Sequence, residues 1–219
     1  KILIPIFYNF LIAGAGIEIQ NVDTLAGTLD IYMSNIPSCS YCEDSDYNNN
    51  YNDWQQAKVA CEIWGGSTWI LDTELSESEC AAIPSITDNG GWGFDGKIGG
   101  YQFKLPGVEI TRATGGSAVA AGFITQISPS AVLGFSISGT TIPIGTDVLL
   151  TQVLFKTFEG ESICFGEDTG SAGSTTLADG IGGYIAADWG PCFGDDGSIP
   201  GCMDMDACNY NADATEEDD

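Results

Sequence analysis

Two runs of the sequence place oxygen-bearing side chains at spacings that suit a cation. In the first, Asp44, Asp46, Asn48, Asn50 and Asn52 alternate through "EDSDYNNNYND". Turning every second residue inward gathers carboxylate and amide oxygens of the kind calcium takes. Asn49 falls at the sharp turn of such a loop, where Asn tolerates the left-handed conformation better than most residues. Gln55 stands where a bidentate Glu would close the set, so one carboxylate is missing. In the second run, Asp204, Asp206, Asn209, Asn211 and Asp213 gather beside Cys202 and Cys208. Carboxylates held that close repel one another until a cation neutralises them. Calcium is the expected ligand of both runs, and a solvated polar loop is the other reading of the first.

Sulfur is the next reactive group. The eight cysteines, Cys39, Cys42, Cys61, Cys80, Cys164, Cys192, Cys202 and Cys208, are an even number in a chain with the acidity of an exported protein. That combination favours disulfides. Cys39-x-x-Cys42 also has zinc spacing, and with Cys61 and Cys80 it offers a four-thiolate site, although no histidine is present to assist. The expectation is a group of four cysteines clamped internally, with Cys164 joined to Cys192.

Other chemistry finds few footholds. Without histidine there is no Ser–His or Cys–His pair. Carboxylate pairs are inevitable among 31 acidic residues, and none lies in a recognisable motif. The chain reads as not an enzyme. A formal net charge of −25 excludes nucleic acid, whose phosphates need clustered Lys and Arg, and an anionic membrane surface. The aromatics Trp54, Trp64, Trp69, Trp92, Tyr101 and Trp189 have rings able to stack on sugars; packing is their more ordinary use. Glycans are therefore a second candidate partner.

These groups must be positioned by short strands. Ile17, Ile19 and Val22 mark one strand, and Leu29, Ile31 and Met33 alternate in a second. Residues 35–91 change in texture. A helix near Asp53 would carry Trp54, Ala57, Cys61 and Trp64, and Ser76-x-x-Glu79 is a capping box before another. Strand texture then returns in "YQFKLPGVEITRAT", "AVLGFSIS", "DVLLTQVLFKTF", "SICF" and "GGYIAADW", each bounded by turn residues. The expected fold is all-β: an antiparallel β-sandwich of jelly-roll type over residues 16–196, with a disulfide-stapled, partly helical insertion at 35–91. An apolar arm (1–15) precedes it and an acidic cysteine-containing tail (197–219) follows.

The order "GTLDIYMSN … GGYQFKLPGVEI … AVLGFSISGTTIPIGTDVLLTQVLFKTF" resembles the secreted cohesin and carbohydrate-binding-module sandwiches. The resemblance implies a cohesin-like sandwich and a role in surface assembly or adhesion. The tail, "GCMDMDACNYNADATEEDD", is similar to a short repeat of secreted and surface proteins of aquatic microbes. In that repeat the motif runs on to Gly-Ser-Cys, which implies a partner for Cys202 beyond Asp219. Cys208 or an earlier cysteine is the other partner.

The arm, "KILIPIFYNFLIAGAG", has the grammar of a signal peptide, yet the expectation is that it is kept. It is too short for the roughly 20 residues of a membrane-spanning helix. It is also too apolar to leave in water. Ile2, Ile4 and Ile6 alternate with Leu3, Pro5 and Phe7, giving a strand apolar on both faces, with Phe10 following. Such a strand suits donation to a neighbouring copy. Repeated head to tail, donation builds a filament. The expected function is a structural subunit of an extracellular filament or cell-surface assembly, with a monomeric adhesion or carbohydrate-binding module as the alternative.

Overall fold

The computed structural model describes residues 14–48, 54–86, 90–158, 162–169 and 173–194. Strands β1 (Ala15–Asp23) and β2 (Thr28–Asn35) form a hairpin, with Ile17 opposite Met33 and Ile19 opposite Ile31. Alternation places Ile17, Leu29, Ile31 and Met33 on one face, and all four are buried. Each such side chain contributes about 1.5–3 kcal/mol on leaving water. The chain then leaves for an insertion: β3 (Ser38–Cys42), α1 (Trp54–Val59), β4 (Trp69–Asp72), α2 (Glu77–Ala81) and β5 (Trp92–Phe94). It returns through β6 (Gly100–Lys104), β7 (Val108–Thr114), α3 (Gly116–Ala120), β8 (Ile124–Ser128) and β9 (Ala131–Phe135). The long β10 (Gly145–Phe158) and the short β11 (Thr176–Ala178), β12 (Tyr184–Ile185) and β13 (Ala187–Trp189) complete it.

The sandwich is two five-stranded sheets in the orders β13-β1-β2-β10-β7 and β12-β11-β6-β9-β8. Every pairing is antiparallel except that of β13 with β1. Between the sheets lie Ile17, Leu29, Ile31, Met33, Val153 and Phe155 from one side, and Tyr101, Phe103, Val132, Leu177 and Ile185 from the other. Gly134 is required there, because a Cβ would enter the ring of Tyr101. Several register shifts interrupt the first sheet, and two of them fall near Asn21 in β1 and Asp147 in β10, both at φ +51°. Asp147 is fixed by its N–H donating to Ser34 Oγ (2.9 Å) and its carboxylate accepting from Gln20 Nε2 (3.1 Å).

The all-β class is therefore as the alternation predicts. Three details differ. The "SICF" segment makes only an isolated bridge, Ile163 with Phe193. The insertion has its own three-stranded sheet, β4-β3-β5, besides the two expected helices. α3 and β8 lie between two predicted strands. No helix among the described residues is long and apolar enough to cross a membrane.

Candidate functional site

The chemistry-bearing residues concentrate in the insertion, where geometry begins with β3. Cys39 and Cys42 are three apart on one strand, so their side chains leave by opposite faces. Cys39, level with Gly93 and Asp72, is bonded to Cys80 of α2. Cys42, level with Trp69, is bonded to Cys61 in the wider turn (Ala60–Trp64) that continues α1. One disulfide thus ties one helix to each face of the small sheet. The four-thiolate zinc reading falls with this arrangement, since the sulfurs are consumed in pairs on opposite sides. The capping box of α2 is formed: Ser76 Oγ accepts from the Glu79 N–H, and the Glu79 carboxylate accepts from the Ser76 N–H. The Ser76 hydroxyl also donates to the Glu79 carboxylate, and that bond, with the one from the Ser76 N–H, holds Glu79 below the usual carboxylate range.

The proposed cation loop starts beside this sheet. Asp44 caps a single 3-10 turn, Ser45–Tyr47, its carboxylate accepting from the Asp46 N–H at 3.0 Å. Asn48 does not turn an oxygen toward an ion. It is buried, with Oδ1 accepting from the Cys42 N–H and Nδ2 donating to the carbonyls of Cys42 (2.9 Å) and Pro84 (3.0 Å). The 3-10 turn breaks the expected alternation, and Asn48 serves as a brace between β3 and the segment after α2. Asn50 and Asn52 lie outside the described residues. Among the described residues no three His, Cys, Asp or Glu side chains gather as a metal site. Asp204, Asp206, Asn209, Asn211 and Asp213, with Cys202 and Cys208, lie outside the described residues, as do Ile2, Ile4, Ile6, Phe7 and Phe10 of the arm.

The aromatic residues are dispersed and do not share a platform. Tyr101 is in the core, stacked between Phe103 (6.0 Å) and Phe123 (6.2 Å). Burial raises its phenol. Trp189 lies edge-on to Phe165 at 5.1 Å and donates Nε1–H to Asp168 at 2.7 Å. Trp69 and Trp92 are half-buried on the small sheet, and the Trp92 indole N–H is buried without a partner. Trp64 alone of the placed tryptophans is largely exposed, at 68%, beside exposed Ile63 and Val59 on the same helical turns. The side chain of Trp54 lies outside the described set.

A cluster not anticipated from the sequence joins Trp189, Asp168 and Tyr184. Burial raises the Tyr184 phenol well above its ordinary range, and the Asp168 carboxylate adds to the effect. The neighbouring Asp188 is raised by burial. Asp168, Trp189 and Tyr184 are far apart in type and spacing from any motif, so only the fold brings them together. The Cys164–Cys192 disulfide closes the same end of the sandwich. The cluster clamps the 162–169 segment to β12 and β13; its carboxylate is already engaged by the indole.

The described residues therefore display a framework of staples and braces. No protein-family model, curated protein or solved structure matches the chain.

Proposed function

We propose that the chain is a structural subunit of an extracellular filament or cell-surface assembly, joined through its apolar N-terminal arm. The observation that carries this reading is the conjunction of arm and fold. An uncharged apolar segment, Ile2–Ile17 without a single Asp, Glu, Lys or Arg, feeds directly into β1 of a molecule whose net charge is −25. Its exit is fixed: the Gly14 carbonyl accepts from the Ile36 N–H at 2.8 Å, and a Cβ at Gly14 would meet Ser38 and Phe94. The arm therefore starts from a rigid base beside the insertion. Three disulfides support an oxidising, extracellular address. The tail's resemblance to surface-protein repeats points the same way. Calcium at Asp204, Asp206, Asn209, Asn211 and Asp213 would neutralise the tail.

Substituting Ile4→Asp with Ile6→Asp tests the assembly role. The double variant is expected to stay folded, with a cooperative melt like that of dilute wild type, and to sediment as a monomer where the wild type associates. A variant that still associates as the wild type does removes the arm from the mechanism. Calcium is tested separately: millimolar calcium should raise the melting temperature over chelator, a hundredfold excess over Kd stabilising the fold by about 2.7 kcal/mol. Coincident curves would reduce the tail's acidity to a matter of solubility.

A further inference from the structure

From Ala113 to Thr146 the sequence contains no Asp, Glu, Lys or Arg, between Arg112 on one side and Asp147 on the other. The fold gathers this stretch into α3, β8, β9 and the connection to β10, so these elements carry no formal charge of their own, while neighbouring β6 and β7 bring Lys104, level with Ala131, and Glu109 and Arg112. Exposed aliphatic side chains mark the flank: Val119 on α3, Ile127 on β8 and Leu133 on β9. Ile127 is the informative one. It lies opposite Val132, which is fully buried, so the two share the inward face of the sheet. Yet Ile127 remains 42% exposed. Part of the Ile127 side chain therefore reaches solvent at this flank, next to the point where the Ile110 N–H of β7 donates to the Pro129 carbonyl just past β8 (2.8 Å).

Sheet edges invite pairing, and proteins blunt them with charge, proline, shortness or cover. The described edges of this molecule are blunted with one exception. β7 carries Arg112 and the Lys156–Glu109 ion pair. β13 is three residues long and contains Asp188, and β12 is two residues long. In the insertion, β4 ends on Asp72, and β5 is three residues with a central glycine. β8, "ITQIS", is five residues with no charge and no proline.

We propose that the edge of β8, with Ile127, Val119 and Leu133 around it, is where a second copy of this chain lays its apolar arm. This names the acceptor for the arm-joined reading above and rests on it. The occupant follows from complementarity. The arm is the other long charge-free stretch of the sequence, Ile2–Ile17. Its period-two pattern can turn Ile2, Ile4 and Ile6 toward this flank while Pro5, which has no N–H to give, faces away from the ladder. Two chains of net charge −25 repel on approach, and a contact between two stretches without acidic residues adds little to that repulsion. Backbone pairing along β8 supplies affinity, and the aliphatic side chains supply register.

The test compares full-length chains by sedimentation equilibrium: wild type, Ile127→Asp, and Ile4→Asp with Ile6→Asp. Ile127→Asp is expected to weaken association by about a hundredfold, because it removes a buried aliphatic and places a charge against the arm. Its melting temperature serves as the check on folding. A second measurement needs no flank substitution: β8 amides in the wild-type assembly should exchange about tenfold or more slowly than in the Ile4→Asp, Ile6→Asp variant. Should the arm variant dissociate while Ile127→Asp assembles and β8 exchange stays unchanged, the acceptor edge is elsewhere and the arm reading survives. Should Ile127→Asp dissociate while the arm variant assembles, β8 joins copies without the arm and the proposed occupant is wrong. A wild-type chain monomeric at every concentration overturns both.

Discussion

In the sandwich the buried side chains are Ile17, Leu29, Ile31, Met33, Phe103, Val132 and Val153; in the insertion they are Cys39, Cys42, Cys61, Cys80, Ala57 and Ala60. The first set is large and aliphatic or aromatic, and burial drives its assembly. The second is small and sulfur-rich. A three-stranded sheet with two short helices cannot exclude enough apolar surface to hold itself together, and covalent staples stand in for the missing core. Even the insertion's polar interior follows this logic, since Asn48 joins backbone groups of Cys42 and Pro84 by side-chain hydrogen bonds. The difference teaches that one chain holds its two regions by separable means, so each should fail separately.

The largest effect is expected in the sandwich. Phe103→Ala removes a fully buried ring that stacks on Tyr101 and meets the edge of Phe165, and should cost about 3–5 kcal/mol in denaturant unfolding. A loss under about 1 kcal/mol would mean that the inter-sheet core is not what holds the fold.

Replacing Cys39 and Cys80 together by Ser should cost about 2–4 kcal/mol, confined to the insertion. Hydrogen exchange is the measurement that resolves this. Amides of β4, β5 and α2 should quicken while those of β1, β2 and β10 keep their rates. Uniform quickening across both regions would dissolve the comparison, because the insertion would then be part of the sandwich's cooperative unit.

Asn48→Ala leaves the Cys42 N–H and two carbonyls without their partner, at about 1–3 kcal/mol. Its signature should again be local, with exchange rising in β3 and near Pro84. A protein that melts unchanged would show that the disulfides alone brace the insertion.

The smallest effect belongs to Asp188 in β13. Burial raises its folded-state pKa above the unfolded value, so the fold disfavours its charge. That penalty is absent below the unfolded pKa, near 3.9, and complete once pH exceeds the folded pKa. Asp188→Asn should therefore stabilise at neutral pH, by less than about 1 kcal/mol after solvent screening, and not at acid pH. A gain independent of pH would point to packing rather than charge.

Much of the sandwich was legible because its strands alternate. β1, β2 and β6 show apolar residues at every second position, and the fold buries most of those positions. β3 was hidden because its alternation, "SCSYC", uses serine and cysteine, which read as loop until the disulfides are known. α3, "GSAVA", is too short to display a helical period. The register shifts at Asn21 and Asp147 were invisible because both look like ordinary polar strand residues; only their positive φ betrays them. Among candidate ligands, Asn48 misled because spacing reports which residues could face one way, while the 3-10 turn at Ser45–Tyr47 decides that they do not. The Asp168–Trp189 contact spans parts of the chain that only tertiary packing joins.

The two disulfides of the insertion are nested rather than interlocked. Cys42 and Cys61 both fall between Cys39 and Cys80, so a ring spanning 19 residues sits wholly inside one spanning 41. Closing the inner ring threads nothing through anything, and it brings the ends of the outer loop closer by shortening the free chain between them. Loop-closure entropy favours the shorter ring first. Oxidation can then proceed from the inside out, each bond easing the next. A crossed pairing of the same four sulfurs would have to draw Cys39 and Cys42 toward partners on the wrong faces of β3, so the strand itself acts as a sorting device for its own cross-links.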